Sequence, residues 1–136
     1  MAKLSIVSIG DIHLGILDPQ YQWENLKHEF FDYCEKVKPD IIIVAGDIMD
    51  ERVSVNSTTA AVFHMFIDEL MKFDSTILII EGTKSHDDGQ IGVFSHRVCD
   101  KFRIYNKVSV DNILGMKMLF IPEEYMHDPD EYYKDY

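Results

Sequence analysis

Three short runs of branched aliphatic residues most constrain what this 136-residue chain can fold into. They span residues 4–9, 41–45 and 76–80, are rich in Ile and Val, and alternate little between apolar and polar positions. Strands that are buried on both faces of a parallel sheet have this composition, because helices or other layers cover both sides. The runs therefore predict three inner strands of an α/β fold.

Two segments between these runs carry apolar residues at the spacing of one helical face. The first predicted helix covers residues 23–37 and ends before Pro39, which cannot continue it. The second covers residues 57–73, with Asn56 or Ser57 as its N-cap. The resulting β-α-β-α-β order implies right-handed crossovers and a parallel sheet.

The remainder of the chain is less regular. We expect a short helix within residues 89–102 and two strands over 103–110 and 116–121, joined by a turn around Asp111, Asn112 and Gly115.

Composition limits the classes of function. The net charge of −11 argues against a broad basic surface for nucleic acid, although clustered carboxylates can bind cations that then face a phosphate. No apolar run approaches the ~20 residues of a membrane span, and the N-terminus lacks a cleavage pattern, so we expect a cytoplasmic protein. Cys34 and Cys99 form no disulfide framework or zinc motif and are expected to be reduced.

Each predicted strand ends in a glycine that is followed by carboxylate or imidazole side chains. The glycines allow sharp turns, and the carboxyl ends of parallel strands form the ligand-binding edge of such sheets. One aspartate after a strand could simply cap the next helix, but three converging strand ends favour a binding site. The side chains at these ends are Asp11, His13, Asp47, His86 and Asp87.

This set of side chains suits phosphate-ester chemistry. Hydrolysis needs a nucleophile at neutral pH, neutralised phosphate oxygens and a stabilised leaving group, and two divalent cations about 3.5–4 Å apart meet all three needs. Carboxylate with imidazole favours manganese, iron or zinc over calcium. Asp47 follows the central strand and is the natural bridging ligand, because its two oxygens can contact two ions.

The segments 11–15, 46–50 and 82–87 resemble the first motifs of the calcineurin-like metallophosphoesterases. The forms Asp-x-His-Leu-Gly and Gly-Asp-Ile-x-Asp are similar to the DNA-repair exonuclease branch, the SbcD-type nuclease subunits. The resemblance implies a β-sandwich with flanking helices, incomplete at the C-terminus. Residues 1–121 would form its N-terminal part, and 122–136 an acidic, tyrosine-rich tail or a connection to a missing half.

The resemblance also implies roles for individual residues. Asp11 and His13 would bind the first metal, and Asp47 would bridge both. His86 would stabilise the transition state or protonate the leaving group, and Asp87 would orient His86. Two Mn²⁺ ions, a DNA substrate, an SbcC-like coiled-coil ATPase partner and a homodimer are the corresponding expectations.

Two departures from the family pattern bear on activity. Ser85 lies where the family has an asparagine ligand of the second metal, so that ion would be weakly held; this form of the motif resembles phage-borne sequences. The later Gly-His and Gly-His-x-His motifs are missing, since neither His96 nor His127 follows a glycine. A fragment, completion by a second polypeptide, or a fold that has lost turnover all remain open. The alternative function is therefore a non-catalytic, protein-binding module.

Overall fold

The structure is a computed structural model that describes residues 3–87, 89–122, 130 and 134. Four parallel strands form a sheet in the order β1-β2-β3-β4, and two further strands form an antiparallel hairpin. The strand bounds are β1 Ile6–Ile9, β2 Ile41–Ala45, β3 Thr76–Ile80, β4 Phe102–Tyr105, β5 Ser109–Ile113 and β6 Met116–Phe120.

The register of the sheet brings the carboxyl ends of its first three strands together. Ile9 of β1 pairs with Val44 of β2, and Ala45 of β2 pairs with Ile80 of β3. An isolated parallel bridge between Leu14 and Met49 continues the pairing beyond β1 and β2. The predicted parallel β-α-β-α-β arrangement is therefore confirmed, and all three strand ends reach one edge of the sheet.

The first crossover is a helical stretch of three consecutive parts: α1 Pro19–Asn25, a π-helical segment Leu26–Phe31, and α2 Asp32–Val37. It begins earlier than predicted, because Asp18 accepts a hydrogen bond from the amide of Tyr21 and Pro19 occupies the first helical turn. Its end before Pro39 agrees with the prediction.

The second crossover contains α3, Thr58–Leu70. Ser57 is the N-cap, and its hydroxyl accepts a hydrogen bond from the amide of Ala60 over 3.0 Å. Two short helical elements follow β3: α4 Lys84–Asp87, which was not predicted, and a 3₁₀ helix Ile91–Arg97 within the region expected to be helical. Among the described residues, no helix has the length and apolar character that crossing a bilayer requires.

The inner strands β2 and β3 are largely buried on both faces, as their composition predicted. The prediction was wrong for β1, which is an edge strand without a buried residue and has Ile6 46% exposed. On one face, Ile42 and Val44 of β2 pack in a cluster with side chains of the two crossovers, including the aromatic residues of α3. The hairpin covers the other face, where the rings of Tyr105 and Phe120 stack with centroids 3.7 Å apart. The α/β fold class is thus confirmed, with the hairpin forming a second layer against the sheet.

The region after residue 102 differs from the prediction of one strand over 103–110. The chain forms β4 on β3, leaves the sheet at residues 106–108, and enters the hairpin as β5. The turn lies at Leu114 and Gly115, both at positive φ, so Asp111 and Asn112 belong to β5. Asp111 stays in the strand because its carboxylate accepts hydrogen bonds from two β4 side chains. The tail beyond Pro122 lies mainly outside the described residues.

The aromatic side of the core gives a stability prediction. Phe66 is fully buried, and its ring centroid lies 5.6 Å from that of Phe31. Phe66→Ala should lower the free energy of unfolding by about 3–5 kcal/mol, measured by urea denaturation, because it leaves a cavity. Met65→Ala, at the neighbouring and 38% exposed position, should cost less than about 1 kcal/mol. Equal losses in the two variants would contradict the described packing.

The junction between β4 and β5 gives a pH prediction. Arg103 donates a hydrogen bond to the carboxylate of Asp111 over 2.6 Å, and the hydroxyl of Tyr105 donates another over 2.8 Å. These two bonds lower the pKa of Asp111. A carboxylate whose folded pKa is lowered adds stability above about pH 4, which is lost as pH falls towards the folded pKa. Asp111→Asn should therefore destabilise the protein at neutral pH, and the difference from the parent should shrink in acid.

The measurement is the free energy of urea unfolding of the parent and of Asp111→Asn, at neutral and at acidic pH. Asp100→Asn is the control, since Asp100 is an exposed aspartate in the turn before β4. A difference between Asp111→Asn and the parent that is the same at both pH values would contradict the predicted linkage.

Candidate metal centre

The backbone at the strand ends is strained at three of the predicted ligands. The φ values of Asp11, His13 and Asp47 are 51°, 48° and 48°. They lie in the left-handed region, which glycine adopts freely but which costs residues with a Cβ about 1–2 kcal/mol each. The amide of Asp11 donates to the carbonyl of Gly46, and that of His13 to the carbonyl of Asp47. These bonds hold the two loops side by side. Strain of this kind concentrates at functional sites, where the surrounding structure imposes it.

The predicted metal ligands His13 and Asp47 and the predicted catalytic residue His86 come together at this edge. One potential ligand atom from each lies within 4.8 Å of those of the other two. The two imidazole rings meet edge to face, with centroids 4.6 Å apart. Asp11 is at the rim, with its carboxylate 4.0 Å from Nε2 of His13 and its side chain 83% exposed. The loops after all three strands therefore contribute to one cluster.

Asp50 contacts both imidazoles, although sequence reasoning gave it no role. Its Oδ1 lies 3.2 Å from Nδ1 of His13, and its main-chain carbonyl is hydrogen-bonded to Nδ1 of His86. Because a carbonyl oxygen only accepts, Nδ1 of His86 is assigned as the protonated nitrogen, which leaves Nε2 with the lone pair in the neutral ring. Asp50 ends the Gly-Asp-Ile-x-Asp motif, and that position was the signal available in the sequence.

Asp87 is fully buried, and its carboxylate serves the backbone. Oδ1 accepts from the amides of Ile48 and Met49 over 2.9 and 3.1 Å, and Oδ2 accepts from the amide of Gly82 over 2.8 Å. Burial raises the pKa of Asp87, and the charge of Asp47 adds to the rise, while the three amides oppose it. The expectation that Asp87 orients His86 therefore needs correction. Its oxygens are engaged elsewhere, and the described partner of that ring is Asp50.

Thr83 is a further contact that sequence reasoning missed. Its amide and its hydroxyl both donate to Oδ1 of Asp47, over 2.8 and 3.0 Å. Ser85, the predicted ligand of a second metal, is exposed, and its hydroxyl lies 3.2 Å from that of Thr83. Since the Thr83 proton faces a carboxylate, Ser85 is the donor in that contact. Ser85 thus connects to Asp47 through Thr83.

The cluster fits a divalent cation. Nδ1 of His13 is buried and makes no hydrogen bond within the described part of the chain, because its 3.2 Å approach to Asp50 lies outside hydrogen-bonding geometry. Buried polar atoms without partners are costly, and coordination of a cation would relieve that cost. Imidazole nitrogen with carboxylate oxygen is the donor set of manganese, iron and zinc sites. Asp11, His13, Asp47 and His86 are the residues that could hold such an ion.

The other described histidines lie away from the cluster. His28 lies between Glu24 and Asp32 on the helix surface, His64 contacts the ring of Phe94, and His96 is exposed in the 3₁₀ helix. His127 lies outside the described residues.

The two cysteines are free, Cys34 buried and Cys99 exposed. Burial raises the pKa of Cys34 to about 11, so its thiol stays protonated at neutral pH.

Comparison with known proteins agrees with this geometry. The sequence model of the calcineurin-like phosphoesterase family matches residues 4–116, which include all three motif loops. The chain belongs to this family. Its members use divalent metals, and the strand-end cluster is where a calcineurin-like phosphoesterase would hold them.

A relative from Staphylococcus epidermidis, the SbcD component of the nuclease SbcCD, is 26% identical to the chain over 142 residues. The alignment covers 97% of this chain and 37% of the relative, so the chain spans little more than a third of that protein's length.

The closest approach in the centre gives a prediction for Gly82. A Cβ atom at this position would lie 2.1 Å from the amide nitrogen of Asp47 and 2.8 Å from Oδ2 of Asp87. Gly82→Ala should therefore push the two loops apart and lower the free energy of unfolding by at least about 2 kcal/mol. Gly92→Ala is the matched control, because a Cβ there meets nothing within 4 Å. If thermal melts show equal stability for both variants, the described loop contact is wrong.

Proposed function

We propose that this chain is the metal-binding part of a phosphodiesterase that acts on DNA as an exo- or endonuclease subunit. The convergence of His13, Asp47 and His86 within 4.8 Å at the strand ends carries the proposal. The family match supports the reaction class, and the likeness to a nuclease component supports a nucleic-acid substrate. A role in DNA repair and a phage origin, both implied by the motif resemblance, are part of the same proposal.

Two Mn²⁺ ions are the proposed cofactors, held by Asp11, His13 and Asp47, with Ser85 as a weak ligand of the second. When bound, they would neutralise phosphate oxygens and lower the pKa of water. Both described hydrogen bonds to Asp47 fall on Oδ1, so Oδ2 is the oxygen that it can offer without losing Thr83. The hydrogen bonds from Thr83 fix the carboxylate plane, which preorganises that oxygen.

His86 is the proposed proton carrier of the site. The carbonyl of Asp50 holds Nδ1 protonated, so Nε2 is the nitrogen that can take up and release a proton. A protonated Nε2 can donate to a non-bridging phosphate oxygen or to the leaving sugar oxygen.

DNA binding would need surfaces beyond this chain's own basic residues. Arg97 pairs with Asp68, Lys101 with Asp74, and Arg103 with Asp111, so these cations are neutralised within the molecule. This agrees with the net charge of −11. A further polypeptide would therefore supply positive charge, and we propose an SbcC-like ATPase, a second copy of this chain, or a completing segment in that role. A cytoplasmic location is part of this proposal.

The proposed activity is tested by Mn²⁺-dependent hydrolysis of a chromogenic phosphodiester and of linear DNA. The assay uses this chain and a form extended with the following segment of an SbcD-type nuclease. Asp47→Asn keeps the acceptor for Thr83 but removes the charge, and it should lower the rate by orders of magnitude. Asp100→Asn should leave the rate unchanged. Activity in Asp47→Asn equal to the parent, with Mn²⁺ present, would refute the proposed site.

The protein-binding module remains the second candidate, and the net charge of −11 favours it. Under this alternative, Asp47→Asn should still bind the protein's partner. Neither this chain nor its extended form should hydrolyse a phosphodiester. Activity in the extended form alone would identify the chain as half of a site.

A further inference from the structure

A glutamine side chain lies directly behind His13. Nε2 of Gln22 donates to the carbonyl of His13 over 3.0 Å, and Oε1 accepts from the amide of Gly15 over 2.7 Å. Nε2 also approaches the carbonyl of Ile12 at 3.4 Å. Gln22 is buried in α1, a helix whose start is fixed by the Asp18 cap. One planar carboxamide therefore holds both sides of the strained loop that presents the imidazole.

A second glutamine has the same relation to His86. Nε2 of Gln90 donates to the carbonyl of His86 over 2.5 Å and to the carbonyl of Glu51 over 3.2 Å. Its Oε1 accepts from the amide of Val53 over 3.0 Å. The segment from Glu51 to Val53 directly follows Asp50, whose carbonyl holds the ring of His86. Gln90 thus joins the loop after β2 to the short helix that carries the second imidazole.

We propose that Gln22 and Gln90 are positioning residues that set the edge-to-face arrangement of His13 and His86 before any cation binds. A carboxamide is suited to this task because it offers donors and an acceptor in one plane. An apolar side chain of the same length would leave main-chain carbonyl and amide groups without partners, and the loops would move to find water. The inference goes beyond the proposed function, on which it rests only for its effect on metal affinity.

The test replaces each carboxamide by a thioether of similar shape and no charge, as Gln22→Met and Gln90→Met. Gln20→Met is the matched control, because Gln20 is exposed on the same helix as Gln22. In metal-free protein, the nuclear Overhauser effect between the ring protons of His13 and His86 should be strong in the parent and control, and lost in both test variants. Its retention in either test variant would overturn the role of that glutamine.

Mn²⁺ affinity is the second readout, measured from the electron paramagnetic resonance of the free ion. Each test variant should bind about tenfold or more weakly than the control, which is the usual effect of removing groups that support metal ligands. Unchanged affinity in both variants would contradict the proposal. If the parent itself binds no Mn²⁺, the proposed function fails, while the ring contact still decides the positioning role.

If the variants do not fold, a measurement on the unaltered chain still tests the proposal. The side-chain amide protons of Gln22 and Gln90 should exchange with solvent at least about tenfold more slowly than those of Gln20, since a hydrogen-bonded group must open before it exchanges. Equal exchange rates for the three glutamines would overturn the proposal.

Discussion

The Asp87 carboxylate, which accepts three main-chain hydrogen bonds, is the contact on which the centre depends. It receives the amides of Ile48 and Met49 from the loop after β2 and the amide of Gly82 from the loop after β3. Without it these amides would lie buried and unpaired at the point where the loops are closest. Asp47 and His86 belong to these two loops, so this carboxylate helps to set their separation, together with the bonds from Thr83 to Asp47 and from His86 to Asp50.

The rest of the molecule supplies the setting for that contact. Parallel pairing brings three strand ends to one edge, and the crossovers and the hairpin bury the inner strands β2 and β3 between them. Around the ligands lies a layer of polar side chains, Thr83 on Asp47 and the two glutamines behind the imidazoles. His13, Asp47 and His86 are thus held by hydrogen bonds to their main chain or carboxylate, and one potential ligand atom of each lies within 4.8 Å of the other two.

The sequence predicts the parts of this arrangement that depend on regular patterns. Ile- and Val-rich runs identified β2 and β3 with their observed bounds, and parallel topology then implied that Asp11, Asp47 and His86 share an edge. The bonds of Gln22 and Gln90 could not be predicted, because each glutamine bonds to the main chain of a loop. The motif position of Asp50 was a signal, but its contact with His86 is made by its main-chain carbonyl. Such bonds depend on loop conformation, and a single buried glutamine on a helix face carries no pattern.

The division of this region into β4 and β5 was not predicted, for a related reason. Residues 103–110 contain enough apolar and β-branched residues to predict one strand, and only the choice of partners divides them. β4 completes the parallel sheet on β3, whereas β5 pairs with β6 on the opposite face. Propensity gives no information about which neighbour a strand will choose.

The left-handed backbone at Asp11 and His13 has a consequence for laboratory evolution. Glycine adopts this conformation without a steric penalty, so at both positions it would relieve strain that the present side chains impose. A library of variants of this chain that is selected only for resistance to heat should therefore become enriched in glycine at residues 11 and 13. Such a selection would keep the sheet and discard two of the proposed cation ligands, which separates what this polypeptide needs to fold from what its proposed function needs.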